Sequence, residues 1–175
     1  MARPDEGARA RAELERHVVA TQRSIRSCSG CGLCCTEAYN AVHVLPIEGE
    51  RIARWLRAAP AKLRDALAAR VGRALDQQPR LRTSKAGERY TCPFLEPDFR
   101  CALPLDVKPI ACLAFNPITP DRCDQEPGRY HAAHAPLAEE NRALGLERRL
   151  RSIPAAVARA LRIGPQRDRR RSQQW

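Results

Sequence analysis

The sequence predicts an α+β fold, mainly helical, in which helices flank a small, irregular, proline-rich cysteine region with a few short strands. Three observations predict it. Apolar residues recur at helical spacing in stretches on either side of the middle of the chain. Between those stretches, prolines at 79, 93, 97, 104, 109, 117 and 120 forbid long regular elements. Four of the eight cysteines, Cys28, Cys31, Cys34 and Cys35, make a C-x2-C-x2-C-C run, and Cys92, Cys101, Cys112 and Cys123 follow later, nine to eleven residues apart.

The elements follow in order. From about Asp5 to Arg26 the pattern is helical, with Leu14, Val18 and Ile25 on one face and Arg and Glu on the other. The cysteine run comes next, and Gly30 and Gly32 allow the tight turns that would bring successive sulfurs to one centre. Residues 41–45 are a short β-like run ended by Pro46. That proline suits the first turn of a helix reaching about Ala58, with Ile52, Trp55, Leu56 and Ala59 on one side. A second helix is expected from Ala61 to Leu75, where Leu63, Leu67, Val71 and Leu75 repeat every four residues, and Pro60 separates the two into a hairpin.

The proline-rich stretch 79–120 is expected to be loop, with short strands around Tyr90–Cys92 and Arg100–Leu103. An irregular segment of this length needs something besides an apolar core to hold it, and metal ligation is the economical answer. Residues 136–163 are expected to be helical through Leu137, Leu144 and Leu150, then Ile153, Val157 and Leu161 after a break near Pro154. The sequence therefore predicts one cysteine-cluster domain over 1–165, with its motif core at 28–116, and a basic disordered tail over 166–175.

Composition excludes some classes and disfavours others. No run approaches the ~20 consecutive apolar residues of a membrane span, and the N-terminus has no apolar signal region. A cytoplasmic location and no membrane partner are expected. In that reducing compartment disulfides are disfavoured, and clustered cysteines more often bind metal or do redox work. The net charge of +11 comes almost wholly from arginine, since only Lys62, Lys85 and Lys108 are lysine. It supports solubility and weak attraction to polyanions but names no partner. Aromatic residues are not interleaved with the basic ones, so a nucleic-acid partner is disfavoured, while a protein partner stays open.

The cysteine spacing carries the chemistry. Two cysteines separated by two residues can place both sulfurs on one metal, because a tight turn reverses the chain between them, and Zn–S bonds of ~2.3 Å require close sulfurs. The three-cysteine row also matches the opening of a bacterial ferredoxin ligand run. Cys34 and Cys35, adjacent with α-carbons about 3.8 Å apart and diverging side chains, do not easily serve one tetrahedral ion. Cys28, Cys31, Cys34, Cys92, Cys101 and Cys112 are the leading ligand candidates, with Cys35 close behind. They allow one site or two, holding an iron–sulfur cluster or zinc. Cys123 is equally well an ordinary buried thiol. His131 and His134 allow a mixed site, but a surface turn leading into a helix at Pro136 is favoured. His43 is expected to be a plain strand residue and His17 a structural or exposed one.

These motifs resemble the YkgJ-type cysteine-cluster family, a zinc- or iron-chelating domain. The resemblance rests on Cys28 to Cys35, on the strand at residues 42–45 followed by Glu48 and Glu50, on Cys92-Pro-Phe-Leu95, on Cys101-Ala-Leu-Pro104, and on Lys108-Pro-Ile-Ala-Cys112-Leu113. It spans residues 28–116, about half the chain. Lys108 and Leu113 stand where that family usually has arginine, so any charge those arginines supply is met differently here or not at all. The resemblance implies a metal or iron–sulfur centre bound by these cysteines, and a relationship to the cysteine cluster of flagellin lysine methylases.

The expected function is thus metal chelation with a structural or redox-accessory role, in which site binding energy becomes folding energy. Two other classes are carried: a protein-modifying enzyme like the flagellin lysine methylases, and a zinc module that binds nucleic acid through the arginine-rich tail. The sequence leans away from an enzyme, because 175 residues leave little room for a cofactor domain. It also contains no G-x-G-x-x-G loop and no P-loop.

Overall fold

The computed structural model describes residues 32–83, 88–119, 122–125 and 127–164, together with residues 6, 8, 9, 11–13 and 16. The expected helix over residues 5–26 is helical at the described positions, and its remainder, including His17, lies outside the described residues. So do Cys28, Cys31 and the tail over 166–175.

The architecture is mainly helical with minor β-structure, as the sequence predicts. Helix α1 is Pro46–Ala58. Leu45 enters it extended, Pro46 fills the first turn, and the Glu48 carboxylate reaches back to accept the Leu45 N–H at 2.9 Å. Its buried face is Ile47, Glu48, Gly49, Ile52, Ala53 and Leu56. Pro60 then caps helix α2, Ala61–Gln77, which buries Leu67, Val71 and Leu75. Leu63 is 40% exposed, so the apolar stripe of α2 meets the core one turn later than its four-residue repeat implies. A 3-10 turn, Pro79–Arg82, then buries Leu81.

Two corrections concern strands. Strands around Tyr90–Cys92 and Arg100–Leu103 do not form; the stretch makes a single antiparallel bridge between Leu95 and Cys101. Prolines 93, 97 and 104 cannot donate to a ladder, and their spacing leaves no run long enough to pair. One described strand falls in the expected run at residues 41–45, and the others lie outside the expected stretches. β1, His43–Val44, pairs antiparallel with β4, Arg151–Ser152; β2, Phe115–Thr119, pairs with β3, Arg122–Gln125. The second hairpin was hidden because Pro117 and Pro120 suggest an irregular loop, yet the ladder shifts register between Pro117 and Thr119.

A further correction concerns the helices after residue 126. Between the strands, α3 is the short helix Ile110–Leu113. Helix α4 is Pro127–Ala143, so it begins before His131 and His134, which are helical rather than in a turn. Pro136 lies inside it. An internal proline costs about 3 kcal/mol, a loss that burial of a leucine beside it can largely offset. Leu137 and Ala133 are buried against Ile110 and Leu113, and that packing carries the helix through Pro136. Leu144 falls just beyond its end and Leu150 in a stretch without regular structure; both are exposed.

Helix α5, Ile153–Leu161, begins at an N-cap serine, whose Ser152 Oγ accepts the Ala155 N–H at 3.4 Å. Its run from Ile153 to Ala158 is buried without interruption. It sits against α1 so closely that a β-carbon on Gly49 would lie 2.8 Å from Ala156 Cβ. The main core gathers Val44, Ile52, Leu56, Leu67, Val71, Leu75 and Tyr90 around Ile153 and Val157. A second, smaller core joins Leu45 and Ile47 to α3 and α4. No described helix is long and apolar enough to cross a membrane.

Candidate metal centre

The cysteines of the described chain arrive on separate segments that main-chain hydrogen bonds hold side by side. The cysteine run ends in a 3-10 turn, Leu33–Cys35, closed by the Cys35 N–H on the Gly32 carbonyl at 2.8 Å. The Cys35 carbonyl then accepts the N–H of Cys92 at 2.7 Å. A few residues on, the Asn40 carbonyl accepts the Tyr90 N–H at 3.0 Å, and Arg89 reaches the carbonyl of Ala38 at 2.7 Å. Residues 35–40 and 90–92 are thus laid against each other.

Tyr90 anchors this contact to the core. Its buried hydroxyl donates to the Val42 carbonyl at 2.6 Å and accepts the Ile153 N–H at 3.0 Å. One side chain therefore joins the segment after the cysteine run, the segment before Cys92 and the start of α5.

The 92–101 segment is a tight loop. The Leu95 N–H bonds the Cys92 carbonyl at 3.0 Å, Glu96 N–H bonds the Arg100 carbonyl at 2.7 Å, and the bridge from Leu95 to Cys101 closes it. Phe99, at its tip, has a left-handed backbone with φ 63° and an exposed ring. Arg70 of α2 grips the loop through both oxygens of Glu96, at 2.8 and 3.1 Å. Those side chains are 29% and 30% exposed, so the pair adds at most about 1 kcal/mol and mainly orients the loop.

Cys112 comes from α3. The loop that leads into α3 is held from two sides. Arg11 donates to the carbonyls of Leu105 and Lys108 at 3.3 and 2.5 Å, and Glu48 accepts the Ile110 N–H at 2.8 Å.

The thiols interact with one another. Cys34 and Cys35 perturb each other's ionisation, and Cys92 perturbs that of Cys35. Cys34 is raised above the ordinary thiol value by Cys35 and by burial. On Cys35 the influence of Cys34 pulls down, while that of Cys92 and burial push up and prevail. Burial raises Cys101 and raises Cys112 further, and in Cys112 the charges of Cys35, Cys101 and Cys34 act the same way. Lys108 opposes the trend at Cys34 and Cys101. Lys108 thus places a positive charge near these thiols.

As folded, Cys34, Cys35, Cys92, Cys101 and Cys112 are free thiols. Among the described residues no three His, Cys, Asp or Glu side chains converge on a point that could hold a metal ion. Cys28 and Cys31 lie outside those residues. Cys123 falls in β3 by its backbone, and its side chain lies outside the described set.

The histidines stand apart. His43 is a strand residue, its Nδ1 bonded to the Ala41 carbonyl at 3.0 Å. His131 and His134 both pack on the Tyr130 ring, with centroids 5.5 and 5.3 Å away. Sequence reasoning missed Glu48 and Tyr90 as organising residues. Glu48 had a signal, a carboxylate three residues after the residue that precedes a proline-started helix. Tyr90 had none, since its partners are backbone groups distant in sequence.

Comparison with protein-family models, with curated proteins and with solved structures finds no match to this chain.

Proposed function

We propose that this chain binds a thiophilic metal centre, zinc or an iron–sulfur cluster, through cysteines of the two halves. The observation that carries the reading is the Cys92 N–H bonded to the Cys35 carbonyl at 2.7 Å, which lays the end of the C-x2-C-x2-C-C run against the later cysteine segment. The donor set suits such a centre by its chemistry. Thiolates are soft ligands for zinc and iron–sulfur clusters. Crowded, desolvated thiols resist ionisation, and a bound cation supplies the positive charge that would stabilise them as thiolates.

In this proposal Cys28, Cys31, Cys34, Cys92, Cys101 and Cys112 are the principal ligands, with Cys35 as a further donor. Zinc would act as a structural clamp, whereas an iron–sulfur cluster would add one-electron redox chemistry. The chain's own contribution is to lay Cys35 beside Cys92 through their main-chain hydrogen bond, to bury Cys92 and half-bury the other four thiols, and to offset charge with Lys108. The spacing of the cysteines and the resemblance to the YkgJ-type family support the same reading.

The test is metal and acid-labile sulfide analysis, with an absorption spectrum, on protein purified without oxygen. Iron with sulfide and broad visible absorption establishes an iron–sulfur protein. Zinc without colour establishes a structural chelating module. Protein that neither carries nor takes up either metal overturns the proposal.

A further inference from the structure

We propose that Glu48 is a positioning residue for Cys112, fixing the reach of that thiol towards Cys35 and Cys101. The proposal takes from the preceding section the role of Cys112 as a ligand; the positioning itself is an intrachain relation. Glu48 is a charged-type side chain only 3% exposed, a location that ionisable groups occupy when they are paired. Both oxygens are committed. Oε2 accepts the Leu45 N–H at 2.9 Å, and Oε1 accepts the Ile110 N–H at 2.8 Å.

The first bond caps the start of α1. The second fixes the first residue of α3, two residues before Cys112. Helix α3 is a single turn, Ile110–Leu113, too short to be stable by itself. Its position must come from outside. Pro109 contributes no N–H, so the Ile110 N–H is the first main-chain donor of the turn, and Glu48 is its acceptor. The Cys112 and Leu113 N–H groups are already spent on the Pro109 carbonyl, at 2.9 and 3.0 Å. Arg11 holds the preceding loop at Leu105 and Lys108. Burial pushes the Glu48 carboxyl above the ordinary carboxylate value, and its two N–H bonds and the charges of Arg11 and Arg51 oppose that rise. Glu48 therefore ties the turn that carries Cys112 to the beginning of α1.

Glu48→Gln tests this. The amide keeps the size of the carboxyl but replaces one acceptor by a donor, which must face an N–H. The first readout uses metal-free, reduced protein and follows alkylation of each cysteine by iodoacetamide with mass spectrometry. Cys112 should react about ten-fold faster than in the parent chain, the population shift that loss of one charge-assisted hydrogen bond allows, while Cys92 stays unchanged. Glu48→Asp, a carboxylate too short to reach both N–H groups, is the second variant and should accelerate Cys112 in the same way. Unchanged Cys112 rates in both variants, or equal acceleration of Cys92 and Cys112, overturn the proposal, because the latter is general loosening.

The second readout is cobalt(II) titration, in which sulfur-to-cobalt absorption counts thiolate ligands. The Glu48→Gln variant should lose the same intensity as Cys112→Ser, and the double variant should lose no more than Cys112→Ser alone. Additive losses overturn the positioning role. A parent chain with no cobalt–thiolate absorption overturns the metal proposal instead, and leaves the alkylation result to decide the position of Cys112.

Discussion

The carbonyl oxygen of Phe99 occupies the space that a side chain on Gly32 would need: a β-carbon there would lie 2.1 Å from it and 2.5 Å from Leu95 Cδ1. Gly32 also has φ +65°, a conformation that side-chain-bearing residues adopt at a cost. The end of the cysteine run thus touches the 92–101 loop backbone to backbone. Gly32→Ala should lower stability by about 2 kcal/mol or more, from strain and overpacking together. Thermal unfolding checks it, and a midpoint equal to the parent's would mean that the run and the loop are not in contact.

Cysteine replacements should divide sharply. Cys112→Ser should lose bound metal and loosen residues 92–112, whereas Cys123→Ser should leave metal content near that of the parent. Metal analysis of the two purified variants is the measurement. Full metal content in the Cys112 variant would show that the two halves do not share a site.

Removing the hydroxyl of Tyr90 should cost about 1–3 kcal/mol, because the buried Ile153 N–H and the part-buried Val42 carbonyl would both lose their partner. Tyr90→Phe changes no other atom, so urea unfolding reads this loss directly. A cost of a few tenths would place water at the hydroxyl.

Two glycines in helices should respond with opposite signs. At Gly49 an added methyl would meet Ala156 Cβ at 2.8 Å and its main-chain carbon and oxygen at 2.9 Å, which α5 cannot yield cheaply. Gly49→Ala should destabilise by about 1–3 kcal/mol. At Gly72 nothing lies within 4 Å, so alanine should stabilise α2 by about 1 kcal/mol through helix propensity. Paired denaturant curves settle both, and equal signs would contradict the α1–α5 packing.

Acid should weaken the protein through His134. Burial, and then the charge of His131, lower its pKa below the ordinary value of 6.5. A depressed folded-state value means that the unfolded chain binds the proton first as pH falls. The contribution is therefore full above pH 6.5 and is lost on acidification below it. Since the ring is only partly buried, the slope should stay under the ~1.4 kcal/mol per pH unit of one full proton. Unfolding midpoints between pH 7.5 and 5 for the parent and His134→Gln measure it; identical slopes would refute the assignment.

Local signals made the first half of the fold legible. Pro46 and Pro60 bracket α1, and the observed Pro46–Ala58 matches the expected span because proline acts through its own covalent geometry. Helix α2 was equally plain from Leu67, Val71 and Leu75. Helix α4 was not, since its apolar residues form no single stripe and Pro136 argues against it; Ala133 and Leu137 meet α3, a partner no local pattern reveals. The expected strands near Cys92 and Cys101 failed for the converse reason, as strand pairing depends on a partner and the prolines there deny one. At the candidate site, spacing picked out Cys34, Cys35, Cys92, Cys101 and Cys112, and the main chain bonds Cys35 to Cys92 and bridges Leu95 to Cys101. What spacing could not supply was Glu48 against Ile110, a contact between distant segments.

Helix α5 also sets an order of events. The residues Ile153–Ala158 are the surface on which Val44, Ile52 and Leu67 close, and they leave the ribosome after every cysteine has done so. Until then the strand at His43–Val44 lacks its β4 partner and the Tyr90 hydroxyl lacks its Ile153 donor. Contacts so distant in sequence form late and slowly. Cys35, Cys92, Cys101 and Cys112, which lie in or against that core, are therefore made before the residues that complete it.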